Sequence, residues 1–294
     1  MENTQNNVKR KKRMGLWGAA VFRFKKNKMA MFGLVLFLCI AIICASAPLF
    51  ADYQADAVEQ DVYNKYAPPS AEHIIGTDQY GRDVFARIIF GGRISLSVGL
   101  ITVLLAMGTG VIIGAIAGYF GGWVDNVIMR VLDVFLAIPH LLMAVTIVAI
   151  LGPSIFNLVL SMCISSIPRC TRIVRSAILN VRGNEYIEAA QACGTSTARI
   201  IGRHIIPNAI GPIIVQSSLN VASTLLTVAS MSFIGLGVQS PQPEWGTMLS
   251  EGKSVMRYHP LGVVIPGIAI IISVIAINMI CDGLRDAFDP KMKN

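Results

Sequence analysis

The chain has 294 residues, of which 54% are hydrophobic and only 14% charged, with a mean hydropathy of +0.61. Soluble domains carry about 25% charged residues, so this composition excludes an ordinary water-soluble globule and points to one large lipid-embedded domain. The formal net charge of +8 is no argument for nucleic acid, because much of the Lys and Arg flanks apolar runs, where it sets membrane orientation.

Residues 1–28 form a basic N-terminal segment with Lys9, Arg10, Lys11, Lys12, Arg13, Arg23, Lys25, Lys26 and Lys28. The apolar run that follows, Met29–Ala47, is too long for the core of a cleaved leader, although Ala45-Ser46-Ala47 resembles a cleavage site. It is the first predicted span. Its nine Leu, Ile, Val and Phe residues favour insertion by about 4 kcal/mol, and Pro48 ends it. Residues 48–94 read as an extracytoplasmic loop with an acidic start (Asp52, Asp56, Glu59, Asp61) and a break at Pro68-Pro69.

Residues 95–281 are predicted to form a five-helix core. The second span, Ser95–Tyr119, carries Gly110, Gly114 and Gly118 on one face, a spacing that lets helix backbones approach closely. The third is Val134–Leu151, with Pro139 near its start and a Gly152-Pro153 turn behind it. The fourth, Ser154–Ile167, is short and ends at Pro168. A polar loop over 169–208 precedes a long fifth span, Ala209–Val238. A polar hairpin over 239–260 then leads to the sixth, Leu261–Cys281, and a tail, 282–294.

Six spans place both termini on one side. The basic N-terminus and the 169–208 loop, with Arg169, Arg172, Arg175, Arg182, Arg199 and Arg203, belong in the cytoplasm by the excess of positive charge. Arg82, Arg87 and Arg93, on the outer side, run against that rule. Asp78 and Asp83 are candidate partners for Arg82 and Arg87. The six cysteines fall in the membrane or on the cytoplasmic side, without a CxxC pair, and read as reduced, small apolar residues.

The 169–208 loop reads as two short helices around a glycine. Asn184 is the predicted N-cap of Glu185–Cys193, with Glu185 and Glu188 at the positive helix start. Gly194 is the expected left-handed C′ residue. Thr195 or Ser196 caps a second helix reaching Ile206, before Pro207. Ile187 and Ala190 give the first helix a small apolar face. On the fifth span, Gln216, Asn220, Ser223 and Thr227 are the candidate lining of a translocation path. The spans contain essentially no Asp, Glu, Lys or Arg, and His140 is their one clear ionisable side chain. That disfavours a proton- or sodium-coupled carrier. Gly252-Lys253-Ser254 lacks the upstream spacing and strand of a phosphate loop. No catalytic triad or metal-ligand cluster stands out, which disfavours a membrane enzyme. Glu244 and Trp245 in the hairpin are expected to face an external partner.

Glu188-Ala189-Ala190, Gly194 and Pro207 stand in the register of the permease motif of ABC importers, which the chain resembles. His204 and Ile206 depart from that motif's aliphatic and Leu positions. A second stretch, His73, Gly76-Thr77-Asp78, Gly81-Arg82-Asp83, Arg87, Gly91, Arg93 and Ser95, resembles the dipeptide/oligopeptide/nickel permeases, as does the tail Asp282-Gly283-Leu284-Arg285-Asp286-Ala287-x-Asp289-Pro290. The resemblance covers about residues 20–290 and matches the second permease of the pair. It implies an all-α integral membrane protein with the type I importer fold and no enzymatic activity of its own. It implies a bacterial inner-membrane location, a homologous second permease, two ABC ATPase subunits and an extracytoplasmic substrate-binding protein as partners. It implies no cofactor on this chain, with ATP and Mg on the ATPases. Glu185, Ile187, Glu188, Ala189, Ala190 and Gly194 would couple to those ATPases. Peptides are the expected substrates, with nickel or another small solute as the alternative.

Overall fold

A computed structural model describes residues 16–288, which are helical almost throughout. The residues Lys9 to Arg13 and the Asp289-Pro290 end of the tail motif lie outside that range. α1 (Leu16–Lys26) and α2 (Lys28–Ala45) meet at Asn27, whose side chain accepts from the Ala30 N–H. There follow α3 (Val84–Phe120), α4 (Gly122–Leu136), α5 (His140–Leu151), α6 (Ile155–Arg182), α7 (Glu185–Ala192) and α8 (Thr197–Arg199). A π turn, Ile200–Ile205, joins α8 to α9 (Ile206–Phe233), and α10 (Trp245–Gly252) and α11 (Leu261–Phe288) complete the order.

Four helical stretches are long and apolar enough to cross a bilayer: Lys28–Ala45, Val84–Phe120, Thr197–Phe233 and Leu261–Phe288. α4 and α5, bent by 80° at a short break, make a fifth if they count as one broken span. The break sits where Pro139 takes the N-cap position of α5, so the single third span expected over Val134–Leu151 is two helices. The fourth expected span, Ser154–Ile167, belongs to α6, which is long enough but amphipathic and carries Arg169, Arg172, Arg175 and Arg182. Contacts nevertheless run the chain between the two ends of the bundle six times. α3 starts beside α10, where Gly91 abuts Glu244, and finishes beside Arg182, where Gly121 meets that guanidinium. α6 lies antiparallel along it, α9 and α11 reverse again, and α2 packs on α11. α1, the start of α9 and the end of α11 gather at the α7 end, where Phe288 meets Gly211 and Trp17.

The α3–α6 contact is the most extensive helix pair. Gly110, Gly114 and Gly118 form its seam. A Cβ on Gly114 would lie 2.8 Å from the Thr171 carbonyl and 2.9 Å from the Val174 Cβ. A Cβ on Gly110 would lie 2.7 Å from the Cys170 Cβ, and one on Gly118 2.8 Å from Ile178. Absence of side chains there allows a backbone approach that dispersion forces reward along about two turns. Pro168 does not end α6. It is buried inside the helix, where neighbouring helices satisfy what a proline leaves open. The stretch 169–182 of the expected polar loop over 169–208 is therefore the second half of α6.

α3 begins at Val84, eleven residues before the expected Ser95, because Asp83 caps it by accepting from the Ala86 N–H at 2.8 Å. The loop before it is folded. Asp52 caps the π turn Tyr53–Val58, and Asp61 caps Val62–Asn64. Arg82 and Arg87, which ran against the charge rule, are nearly inaccessible and paired. Arg82 holds Asp78 and Glu251, each at 2.7 Å. Arg87 holds Glu251 at 2.9 Å and Asp78 at 3.5 Å, and donates to the Ala57 and Pro241 carbonyls. Asp83 does not join them, since its other oxygen meets His73 Nδ1 at 2.8 Å. Glu251, on α10, is the partner that sequence spacing did not offer. The expectation that Glu244 and Trp245 face an external partner is corrected here. Both are buried, Glu244 accepting from Ser95 and Thr247 and Trp245 donating to the Ile88 carbonyl.

Gly114→Val is expected to destabilise the purified protein by about 1–3 kcal/mol, the cost of overpacking. Gly108→Val, whose Cβ would meet nothing within 4 Å, leaves the thermal midpoint in detergent unchanged. Glu251→Ala strands two buried guanidiniums, a loss of about 3–5 kcal/mol. It is expected to expose residues 48–83 to limited proteolysis at least tenfold faster than in the wild type.

Candidate functional site

The first candidate site is the elbow at the α7 end. Its scaffold is a buried cluster from α3, α6 and the start of α9, including Val174, Ile178, Ile200, Ile205 and Ala209. Ile187 joins that cluster at 1% exposure and Ala190 packs on it. Burying one Ile side chain is worth about 1.5–3 kcal/mol, enough to seat a two-turn helix too short to be stable alone. With Ile187 turned inward, Glu185, Glu188 and Ala189 are turned outward and exposed. Gly194 ends α7 at φ +73°. Its N–H donates to the Gln191 carbonyl and the Thr195 N–H to that of Ala190, the paired bonds of a Schellman motif.

Two expected details differ. Asn184 takes the N-cap position, but its side chain makes no capping bond and donates instead to the Val181 carbonyl at 2.7 Å. The second short helix does not stop before Pro207. Pro207 lies in the first turn of α9, directly after the π turn, and Thr197–Phe233 runs on through that turn as one helical rod. Ser196 holds the N-cap position of α8 without a side-chain bond.

The second candidate is a polar cavity of about 170 Å³ between α5, α6 and α9. His140, Ser166, Arg169, Asn220, Ser223, Thr224 and Thr227 line it. Three of the four path residues expected from sequence, Asn220, Ser223 and Thr227, come together here. Gln216 does not line it. Its amide donates to Asn220 Oδ1 one turn away at 3.1 Å. Ser223 and Thr227 satisfy their hydroxyls on their own helix, at the Asn220 and Ser223 carbonyls. His140 Nε2 lies 3.0 Å from Ser166 Oγ and 3.1 Å from Ser165 Oγ.

Arg169 is the cavity residue that sequence reasoning assigned elsewhere. It was placed beyond the fourth span, and the continuation of α6 through Pro168 returns it to the bundle. The signal available in the sequence was the three-residue spacing of Arg169, Arg172 and Arg175, a helical repeat rather than a loop composition. Arg172 pairs with Asp133 and Arg175 with Asp125, both on α4.

A third cavity, of about 380 Å³, lies at the α10 end between the 48–83 segment and α10. Pro68, Pro69, Met248 and Tyr258 contribute to its walls, with Asp78, Arg87 and Glu251 of the buried ion network. Tyr66 and His259 stack across it with ring centroids 4.0 Å apart.

Residues 110–294 match the family described as binding-protein-dependent transport system inner membrane component, and residues 15–69 match the N-terminal TM domain of oligopeptide transport permease C. The chain is 45% identical over 278 residues to the dipeptide transport system permease protein DppC of Alkalihalophilus pseudofirmus, covering 95% of this chain and 91% of that protein. It is 39% identical to the oligopeptide transport system permease protein OppC of Bacillus subtilis, over 96% and 92% of the two chains. It is 41% identical to the glutathione transport system permease protein GsiD of Pectobacterium atrosepticum, over 92% and 90%. Among solved structures it is similar to the inward-facing MetNI methionine ABC transporter, with TM-score 0.57 and 15% identity, over 69% of this chain and 96% of that one. It is likewise similar to an amino acid ABC transporter crystallised with histidines, with TM-score 0.55 and 18% identity, over 69% and 94%. At those identities the structures share the fold alone. With a family match over residues 110–294 and relatives aligned over nearly its whole length, the chain belongs to the binding-protein-dependent transport system inner membrane components, and its fold is that of an ABC importer's membrane subunit.

Proposed function

We propose that this chain is one of two homologous permeases in an ATP-driven importer of di- and oligopeptides. The observation that carries the reading is the 45% identity, over 95% of the chain, to a dipeptide permease. The glutathione relative, whose named substrate is a tripeptide, supports the same class. The α7 end is the cytoplasmic one. Supporting this, Arg182, Arg199 and Arg203 and the basic residues of α1 gather there, as positive charge does on the inner side. The α10 end then faces outward, toward a substrate-binding protein.

In this reading α7 is the lever on which an ABC ATPase acts. ATP and Mg bind on that partner, and this chain does mechanical work. Ile187 ties the lever to the membrane bundle, while Glu185, Glu188 and Ala189 present it to a groove. Gly194 lets the chain reverse behind the lever in little space. Because α8, the π turn and α9 are one rod, a push on the elbow travels to the cavity-lining face of α9 without a flexible joint. Alternating access follows when two such rods, one in each permease, rock together.

Glu188 is exposed, so Glu188→Lys is expected to leave this chain's thermal midpoint unchanged. It is expected to cut the ATPase recovered with the purified permease pair at least tenfold. Ile187→Ala behaves differently, lowering the midpoint by about 2–5 kcal/mol of stability along with ATPase recovery. Deletion of the gene is expected to abolish ATP-dependent uptake of radiolabelled dialanine by whole cells and leave nickel uptake intact. The opposite pattern assigns the importer to the metal.

A further inference from the structure

Three arginines stand at three-residue intervals on α6, and two find carboxylates on α4. The third, Arg169, has no hydrogen-bond or ion-pair partner among the described residues. It faces the polar cavity with the Ser166 and Thr227 hydroxyls, the Asn220 amide and His140. It is also deep. Its neighbour Cys170 packs on Gly110, ten residues, or about 15 Å, along α3 from that helix's end at Phe120. An arginine held at membrane depth without a counter-charge is costly and marks a site on a transport path.

We propose that this cavity is a carboxylate site, in which Arg169 receives the C-terminal carboxylate of a peptide in transit. The proposal rests on the peptide-importer reading. The donor set fits the chemistry. A guanidinium presents two parallel N–H donors to a carboxylate; the Asn220 amide has a second N–H beyond the one that reaches Cys170 Sγ, and the Ser166 hydroxyl, now at His140 Nε2, can rotate toward a remaining lone pair. The volume of about 170 Å³ is many times the roughly 10–15 Å³ that admits one water, room for a chain end. The hold is transient. Arg169 is exposed, and Ser223 and Thr227 are already committed to their own helix, so one charge contact does most of the binding and release follows readily.

The test is saturation-transfer NMR on the assembled transporter in detergent, without its binding protein. The probes are dialanine and dialanine amide, which differ only in the terminal charge. The wild type is expected to bind dialanine about tenfold more tightly than the amide. Arg169→Gln is expected to erase that preference by weakening dialanine alone, and Arg169→Lys to keep it within threefold. Equal binding of the two probes by the wild type overturns the proposal, as would be seen if a carboxylate of the partner permease filled the site. An unchanged preference in Arg169→Gln overturns it, and so does loss of both probes together. ATP-dependent dialanine uptake in proteoliposomes separates this from the broader reading. Terminal-charge preference without uptake leaves the site standing and removes the peptide-import function. Uptake without preference does the reverse.

Discussion

Everything in this molecule is referred to one contact, the seam where α6 lies against the glycines of α3. Gly110, Gly114 and Gly118 bring the two backbones so close that a methyl group at any of them would collide with the partner helix. In lipid there is no hydrophobic drive to press helices together, so close van der Waals approach has to supply the association. The seam sets the rotation of α6 about its own axis. That rotation decides which face meets α3, which meets α4 and which faces the cavity.

The fate of the α6 arginines follows from this. With Cys170, Val174 and Ile178 against α3, Arg172 and Arg175 fall on the side of Asp133 and Asp125, and Arg169 falls on the side of α9. The same rotation carries the buried cluster of Val174 and Ile178 down to the elbow, where it receives Ile187. The seat of α7, the ion pairs and the polar cavity are thus consequences of one helix–helix register. At the opposite end a second closed unit, the network of Arg82, Arg87, Asp78 and Glu251, ties the long loop to α10. The ion network closes the α10 end, and a continuous helix through α8 and α9 leads from the elbow into the bundle.

Much of the architecture was legible in the amino-acid sequence because it is written in local patterns. Apolar runs of bilayer length mark the spans, and a four-residue glycine ladder marks a tight helix contact. Gly194 between two polar helices marks a reversal, and its φ of +73° is the conformation that glycine adopts without strain. The limits came where a local signal competes with a neighbour. Pro168 reads as a helix end and Pro207 as another, yet both lie within or at the start of helices, since packed neighbours override what proline removes. Pro139 does mark a break, and there the expected span is two helices at 80°. The second helix was expected to start at Ser95, after three arginines, yet two of those arginines are inside. Arg82 and Arg87 are buried because both reach Asp78 and Glu251, whereas Arg93 is exposed.

What the sequence by itself determined, then, is the medium and the class of the chain: composition sets the solvent, and period and length set the elements. What only the tertiary structure decided is which charges are neutralised and which are left open. Glu251 lies more than 160 residues from Arg82 and Arg87, and Asp133 and Asp125 lie 39 and 50 residues from their arginines. No period or spacing connects residues that far apart. Their pairing is a property of helix packing, and so is the lack of a partner for Arg169 among the described residues.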